Sequence, residues 1–256
     1  MIHETALVDR TAELAADVEV GPYAIVDAGV EIDSGTRIGP HTVIRGPTHI
    51  GKDNRIFQFA SVGDEPQDKK YAGEPSRLVI GDRNTIRECC TINRGTAQDE
   101  GVTRLGDDNW IMAYVHVAHD CLLGDQNVLA NNVTLAGHVH VGDSVIMGGF
   151  SGIHQFCQIG SHAFLAMYSV VNRDVPAYCM VAGHPAVPRG INSEGLRRRG
   201  FEPEQVRNIR RAYKTLYRSG LKFEQAIAEI AASAETRPEL EVLVASLRDS
   251  TRSIVR

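Results

Sequence analysis

An aliphatic residue at every sixth position is the feature that most constrains this chain. Ile2, Val8, Leu14, Val20, Val26, Ile32, Ile38, Ile44, Ile50, Ile56 and Val62 keep the step. It breaks after Val62, returns at Ile80, Ile86 and Ile92, breaks again, and runs unbroken from Leu105 to Val171. Twenty-six hexads in one chain are not a chance pattern. A short fixed period is the signature of a solenoid, and a six-residue period that of a parallel β-helix. Three hexads make a triangular coil of eighteen residues. At ~4.8 Å between stacked strands, roughly nine coils give a prism about 40 Å long. A sandwich of antiparallel sheets would instead show two-residue alternation and irregular turns.

Other hexad positions support corners. The fourth residue after the aliphatic is usually small, as at Ala24, Thr36, Thr42, Ala60, Cys90, Cys121, Ser151, Cys157, Ala163 and Ser169. Glycine often follows the aliphatic directly, as at Gly21, Gly39, Gly51, Gly81, Gly106 and Gly124. Its freedom at unusual backbone angles suggests that the corners bend there. The frame breaks, residues 63–79 and 98–104, are polar and read as loops thrown out from the prism, a common place for function.

Beyond Val171 the period changes. Pro203 suits a first helical turn, and Val206, Ile209, Ala212, Tyr213, Leu216 and Tyr217 follow at helical spacing. Phe223, Ala226, Ile227 and Ile230 predict a second helix, and Thr236 to Glu239 a capping box opening a third. The expected fold class is therefore an all-β solenoid plus α: a parallel β-helix over 1–190, with a helical domain over 191–256 covering the open strand edge at one end.

No apolar run approaches a membrane span, and the N-terminal MIHETALVDR lacks the marks of a secretion signal. The five cysteines are odd in number and show no CxxC spacing, which argues against a disulfide framework and favours a reducing cytoplasm. Charge is uneven. Residues 192–218 carry eight basic side chains against three acids, +5 within a chain of net charge −5, leaving −10 elsewhere. Such asymmetry suggests an acidic partner. Nucleic acid is disfavoured, because aromatic residues that could stack on bases are sparse in that segment.

Outward positions of the central hexads carry histidines. Hexads beginning at 117, 135 and 153 are one coil apart, and that at 92 joins their face if 98–104 is an insertion. Asn93, His119, His138 and His154 then form a rough column, with His116 at the neighbouring corner. Inward positions are aliphatic, so these are not core histidines. Three histidines can bind zinc, as in solenoid lyases. Histidine as a residue type also suits a general base, and His119 stands beside Asp120. A scaffold without chemistry would need neither the histidines nor the polar loops.

The words QFASVG, QDKKYAGEPSR, GDRNTIRE, HVAHDC, LANNVTLAGH, HQF and EGLRRRGF carry a resemblance over nearly the whole chain. In this order they are similar to the UDP-N-acetylglucosamine O-acyltransferases of Gram-negative lipid A biosynthesis. The resemblance implies a left-handed β-helix, a homotrimer with active sites between subunits, and no cofactor or metal. It implies transfer of a 3-hydroxyacyl group from acyl carrier protein to the glucosamine 3-hydroxyl of UDP-N-acetylglucosamine. His119 would be the general base, Asp120 its orienting partner, and the Gly137 N–H the oxyanion donor. His116 and His138 would line the substrate pocket, and His154 and Gln155 would meet the sugar nucleotide. Asp68 and Lys70 would reach in from a neighbouring subunit. Asn192, Glu194, Arg198 and Arg199 would hold the uridine and its phosphates. Met167 would be a ruler excluding acyl chains much longer than ten carbons. Apart from the resemblance, the charge asymmetry of 192–218 makes acyl carrier protein the acidic partner, docking on Arg197, Arg207, Arg210, Arg211, Lys214 and Arg218. One departure stands out: Asn93 replaces the family's usual histidine before Arg94-Gly95-Thr96, which raises a 3-amino sugar as alternative acceptor. A CoA-dependent hexapeptide acyltransferase is the other alternative.

Overall fold

The computed structural model describes residues 1–256. The hexads wind into a left-handed parallel β-helix of three sheets. The first sheet has nine strands, from Leu7–Val8 to Val170–Val171, and the second has eight, from Glu13–Leu14 to Gln158–Ile159. The third has ten, beginning at Glu19–Val20. Partners in adjacent coils lie eighteen residues apart, as in His116↔Thr134 and Thr134↔Gly152. The hexad aliphatics from Val20 to Val171 are buried and stack into one core. Ile2, at the uncovered end, is 51% exposed.

The frame breaks are insertions that leave the sheets in register. Thr48 pairs with Leu78 and Thr91 with His116, so the hexad at 92 does join the first sheet. The loops are shorter than the polar runs suggested. Residues 63–64 and 77–79 lie within strands Ser61–Asp64 and Arg77–Ile80, and 102–104 within Val102–Leu105. Thr103 is polar yet wholly buried, which is why polarity misplaced that edge.

Backbone angles overturn the role expected of the glycines. Left-handed φ falls on the third residue after the aliphatic, occupied by Tyr23, His41, Phe59, Tyr114, Asp120, His138, Phe156 and others. Glycine directly after the aliphatic meets a different constraint. A Cβ at Gly39 would sit 2.8 Å from the Gln58 nitrogen of the next coil, so only hydrogen fits. Each coil therefore turns three corners, and the prism has three edges. The first edge, after the first sheet, carries Asp120, His138 and Phe156. The second carries Asp53, Arg83, Asp108, Gln126 and His162. The third carries Tyr23, His41, Phe59, Tyr114, Phe150 and Tyr168.

At the far end, Cys179–Gly183 continues the third sheet and turns back as the antiparallel strand Ala186–Ile191, a hairpin the decaying frame did not reveal. Helices follow: α1 (Ser193–Arg198), α2 (Pro203–Arg218), α3 (Phe223–Ala234) and α4 (Glu241–Arg248). Pro203 opens α2 as expected, within a Glu202–Gln205 capping box. Thr236 to Glu239 forms no box. Arg237 caps a short 3-10 turn without a side-chain bond, and the Glu239 carboxylate instead accepts from Asn208 of α2 at 2.8 Å. The tail is pinned back on the prism by buried Asp174, whose Oδ2 accepts from Ser250 Oγ, Thr251 N–H and Arg252 N–H. No helix is long and apolar enough to cross a membrane.

Candidate active site

The first edge gathers a compact polar cluster. His119 Nδ1 lies 2.8 Å from Asp120 Oδ2, with the imidazole 14% and the carboxylate 1% exposed. A carboxylate only accepts, so Nδ1 carries a proton, and in the neutral ring Nε2 is the nitrogen with the lone pair. Asp120 takes two more hydrogen bonds, from Thr96 N–H at 2.8 Å and Thr96 Oγ1 at 2.7 Å. Its own N–H donates to Thr103 Oγ1 at 2.8 Å. Burial disfavours the Asp120 charge, but the hydrogen bonds from His119 and Thr96 outweigh it and hold the carboxyl below the usual carboxylate range.

Gly137 stands one coil above His119. A Cβ built there would lie 2.5 Å from His119 Cε1 and 2.7 Å from Nε2, so the imidazole occupies the space that glycine leaves. The Gly137 N–H donates to no protein acceptor. His138 meets His119 edge-on, with ring centroids 5.1 Å apart, and stacks on Phe156 at 4.4 Å.

The column of four is corrected by the hexad positions. His116 precedes the aliphatic, His154 follows it by one, His119 by two and His138 by three, so only His119 and His138 face each other. His116 Nδ1 is 2.7 Å from Thr91 Oγ1. Burial, and secondarily His119, push its pKa below the ordinary histidine value. His154 and Gln155 are exposed above the cluster, His154 Nδ1 lying 3.1 Å from the Gln155 carbonyl. Asn93 is 5% exposed, and its side-chain oxygen has no protein partner. Its amide donates to the Glu65 carbonyl at 2.7 Å and the Asp64 carbonyl at 3.4 Å, tying down the first loop.

The remaining expected residues lie elsewhere on the single chain. Asp68 and Lys70 sit together in the first loop, where Asp68 Oδ1 accepts the Lys70 N–H at 3.0 Å. Asn192 is a buried cap of α1: its oxygen accepts from Gly195 N–H, and its nitrogen donates to the His162 carbonyl. Both ends of that amide are occupied, which argues against the uridine contact. Glu194 pairs with Arg197 and Arg198, and these guanidiniums hold its carboxyl down to about 2. Arg199 donates to the Gln126 side chain and carbonyl on the second edge. Met167, 59% exposed, follows Leu165 by two residues and so stands on the third edge beside Tyr168. A route along one chain from His119 to Met167 would have to cross a whole face.

Sequence reading missed Thr96, Thr103, Asp99 and Phe156. Phe156 could have been found by stepping eighteen residues from His138. Asp99 falls in a frame break, where no period predicts a neighbour, and Thr96 sits at the end of the hexad before it.

Ligand atoms of His119, Asp120 and His138 lie within 4.8 Å of one another. The donor chemistry disfavours all three serving together as metal ligands. His119 Nδ1 and Asp120 Oδ2 share a proton at 2.8 Å, and both Asp120 oxygens are already taken by Thr96.

Residues 174–255 match the family described as UDP N-acetylglucosamine O-acyltransferase, domain 2, and residues 103–137 match the bacterial transferase hexapeptide repeat. The acyl-[acyl-carrier-protein]–UDP-N-acetylglucosamine O-acyltransferase of Janthinobacterium sp. (strain Marseille) is 59% identical over 260 residues, covering 100% of this chain and 99% of its own. This chain belongs to that O-acyltransferase family. Solved O-acyltransferase structures agree. LpxA from Acinetobacter baumannii is 49% identical with a TM-score of 0.97, over 100% of this chain and 99% of that one. The Francisella novicida UDP-N-acetylglucosamine acyltransferase is 46% identical with a TM-score of 0.98, over 100% and 94%.

Proposed function

We propose that this O-acyltransferase moves an (R)-3-hydroxyacyl group from acyl carrier protein to the glucosamine 3-hydroxyl of UDP-N-acetylglucosamine, the first step of lipid A biosynthesis. The reading is carried by the His119–Asp120 pair beneath Gly137, within a chain aligned end to end with acyltransferases of that name. His119 Nε2 takes the proton of the sugar hydroxyl as its oxygen attacks the thioester carbonyl. The Gly137 N–H meets the developing oxyanion, a contact worth ~100–1000-fold in rate. Collapse breaks the C–S bond and expels the carrier's thiolate, which takes the sugar hydroxyl's proton from His119. A thioester is already activated, so the residues at hand suffice. The Asn93 amide nitrogen is taken by loop carbonyls, while its buried oxygen has no protein partner.

The test is purified protein with UDP-N-acetylglucosamine and a panel of acyl-carrier-protein thioesters. An ester product from a 3-hydroxyacyl donor supports the reading. Equal turnover with the matching acyl-CoA, or none with any carrier thioester, overturns it.

The same reading places the substrate between copies. His119 lies on the first edge, the α1 residues meet the second and Met167 stands on the third, so a homotrimer would bring one chain's residues to another's cluster. Sedimentation should give three times the 28.0 kDa chain mass. Met167 would then meet an acyl chain held at a neighbour's His119. Wild type should prefer 3-hydroxydecanoyl to 3-hydroxytetradecanoyl carrier protein, and Met167→Gly should gain on the longer donor. A wild type that favours fourteen carbons removes the ruler.

For the carrier, local pairing narrows the basic patch. Arg197 pairs with Glu194 and Arg207 with Glu204, and Arg211 donates to Asn208 at 3.3 Å. Arg210, Lys214 and Arg218 lie one turn apart along an exposed face of α2, free of acidic partners. Arg210→Glu with Lys214→Glu should raise KM for the carrier about tenfold at low salt, with the gap closing as salt screens it. An unchanged KM at low salt rejects this docking face.

A further inference from the structure

We propose that Asp99 is a positioning residue for His138, forming a second carboxylate–imidazole pair beside that of His119 and Asp120. Asp99 Oδ2 lies 2.8 Å from His138 Nδ1, although the two residues are thirty-nine positions apart. The insertion between the hexads at 92 and 105 makes this contact possible. Thr96, at its start, holds Asp120 by two hydrogen bonds, and the Asp99 N–H donates to the Thr96 carbonyl at 3.3 Å. One short loop thus supports both pairs.

The geometry defines what Asp99 does. His138 is 12% exposed, clamped between Phe156 on one face and the edge of His119. Packing fixes the plane of the ring but not which nitrogen carries the proton. A carboxylate accepts and never donates, so Asp99 puts the proton on Nδ1. Nε2 then faces the cluster, 3.7 Å from Asp120 Oδ2, with its lone pair free for a substrate hydroxyl. The charged and titratable groups around the ring are Asp99, Asp120 and His119. A single hydrogen bond to a carboxylate that is 40% exposed adds little to the fold, so the contact's effect should appear in turnover. The inference rests on the reading that His138 lines the acceptor pocket.

Asp99→Asn is the informative change. Its amide can turn an N–H toward Nδ1 and trap the opposite tautomer. As with other residues that orient imidazoles, the expected loss in kcat/KM is about 10- to 100-fold, with much of it restored in Asp99→Glu. In a His138→Ala background Asp99→Asn should have no further effect. In 15N-histidine-labelled protein, the His138 signals should move from the Nδ1–H to the Nε2–H pattern. The inference is overturned if kcat/KM stays within twofold, or if the loss is equally large without His138. The outcome is separable from the base assignment: were His119→Ala to retain turnover, the coupling of Asp99 to His138 would still be measurable.

Discussion

His119→Ala should lose about 100- to 10,000-fold in kcat, the usual cost of removing a general base, while the protein stays folded. Both halves follow from the hexad. Val117 fills the inward position of that strand and is wholly buried, whereas the His119 ring projects from the corner. Removing it empties no core volume. It leaves Asp120 with both Thr96 hydrogen bonds, so no orphaned buried charge drives unfolding. The KM for the sugar nucleotide should change little, because the lost interaction belongs to the transition state. Circular dichroism and steady-state kinetics check the two halves. Turnover within threefold of wild type would falsify the base assignment.

Gly137→Ala should come close to the same loss by a different route. Gly137 has no left-handed φ, so alanine's backbone is unstrained. Its N–H survives, and oxyanion donation is not removed. Only the methyl matters, and it would lie 2.5 Å from His119 Cε1, well inside contact distance. The backbone above is fixed by the Phe156 N–H donating to the Gly137 carbonyl at 3.1 Å, so the imidazole must move and its alignment on Asp120 goes with it. Overpacking of this kind costs roughly 1–3 kcal/mol, which should lower the melting temperature. The double variant His119→Ala with Gly137→Ala has room for the methyl. It should regain the melting temperature and be no less active than His119→Ala alone. If Gly137→Ala keeps wild-type kcat, the ring is not held where the structure places it.

The β-helix was legible because its period reports burial directly: an inward residue every sixth position admits little else. The same frame placed the hexad at 92 on the histidine face. It gave the face of each histidine but not its place along the corner, so four outward residues looked like one column. Their neighbours are set by position within the hexad, and only His119 and His138 share a corner closely enough to touch. Loops carry no period, so Asp99 stayed hidden; Thr96 lies within the hexad at 92 and was passed over, although the two support both imidazoles. Asn93 shows the limit on the other side: its strand was placed correctly, but its amide turned to the loop carbonyls, a choice made by three-dimensional contacts. The expected uridine and acyl contacts rest on likeness to the family, and the carrier contact on the charge of residues 192–218, because a single chain spreads those residues over separate edges.

The eighteen-residue register also decides where this chain can change length. His119 faces Gly137 because eighteen residues separate them. Deleting one residue between 121 and 136 would bring His138 opposite the imidazole, and inserting one would bring Ala136; either way a side chain would fill the only gap the ring has. The stretches 65–76 and 97–101 are different. The sheets already resume their pairing after them at Leu78↔Thr48 and Thr91↔His116, so extra residues there leave the coils above in phase. Drift in length is therefore confined to the two loops, and one of them holds Asp99 over the site.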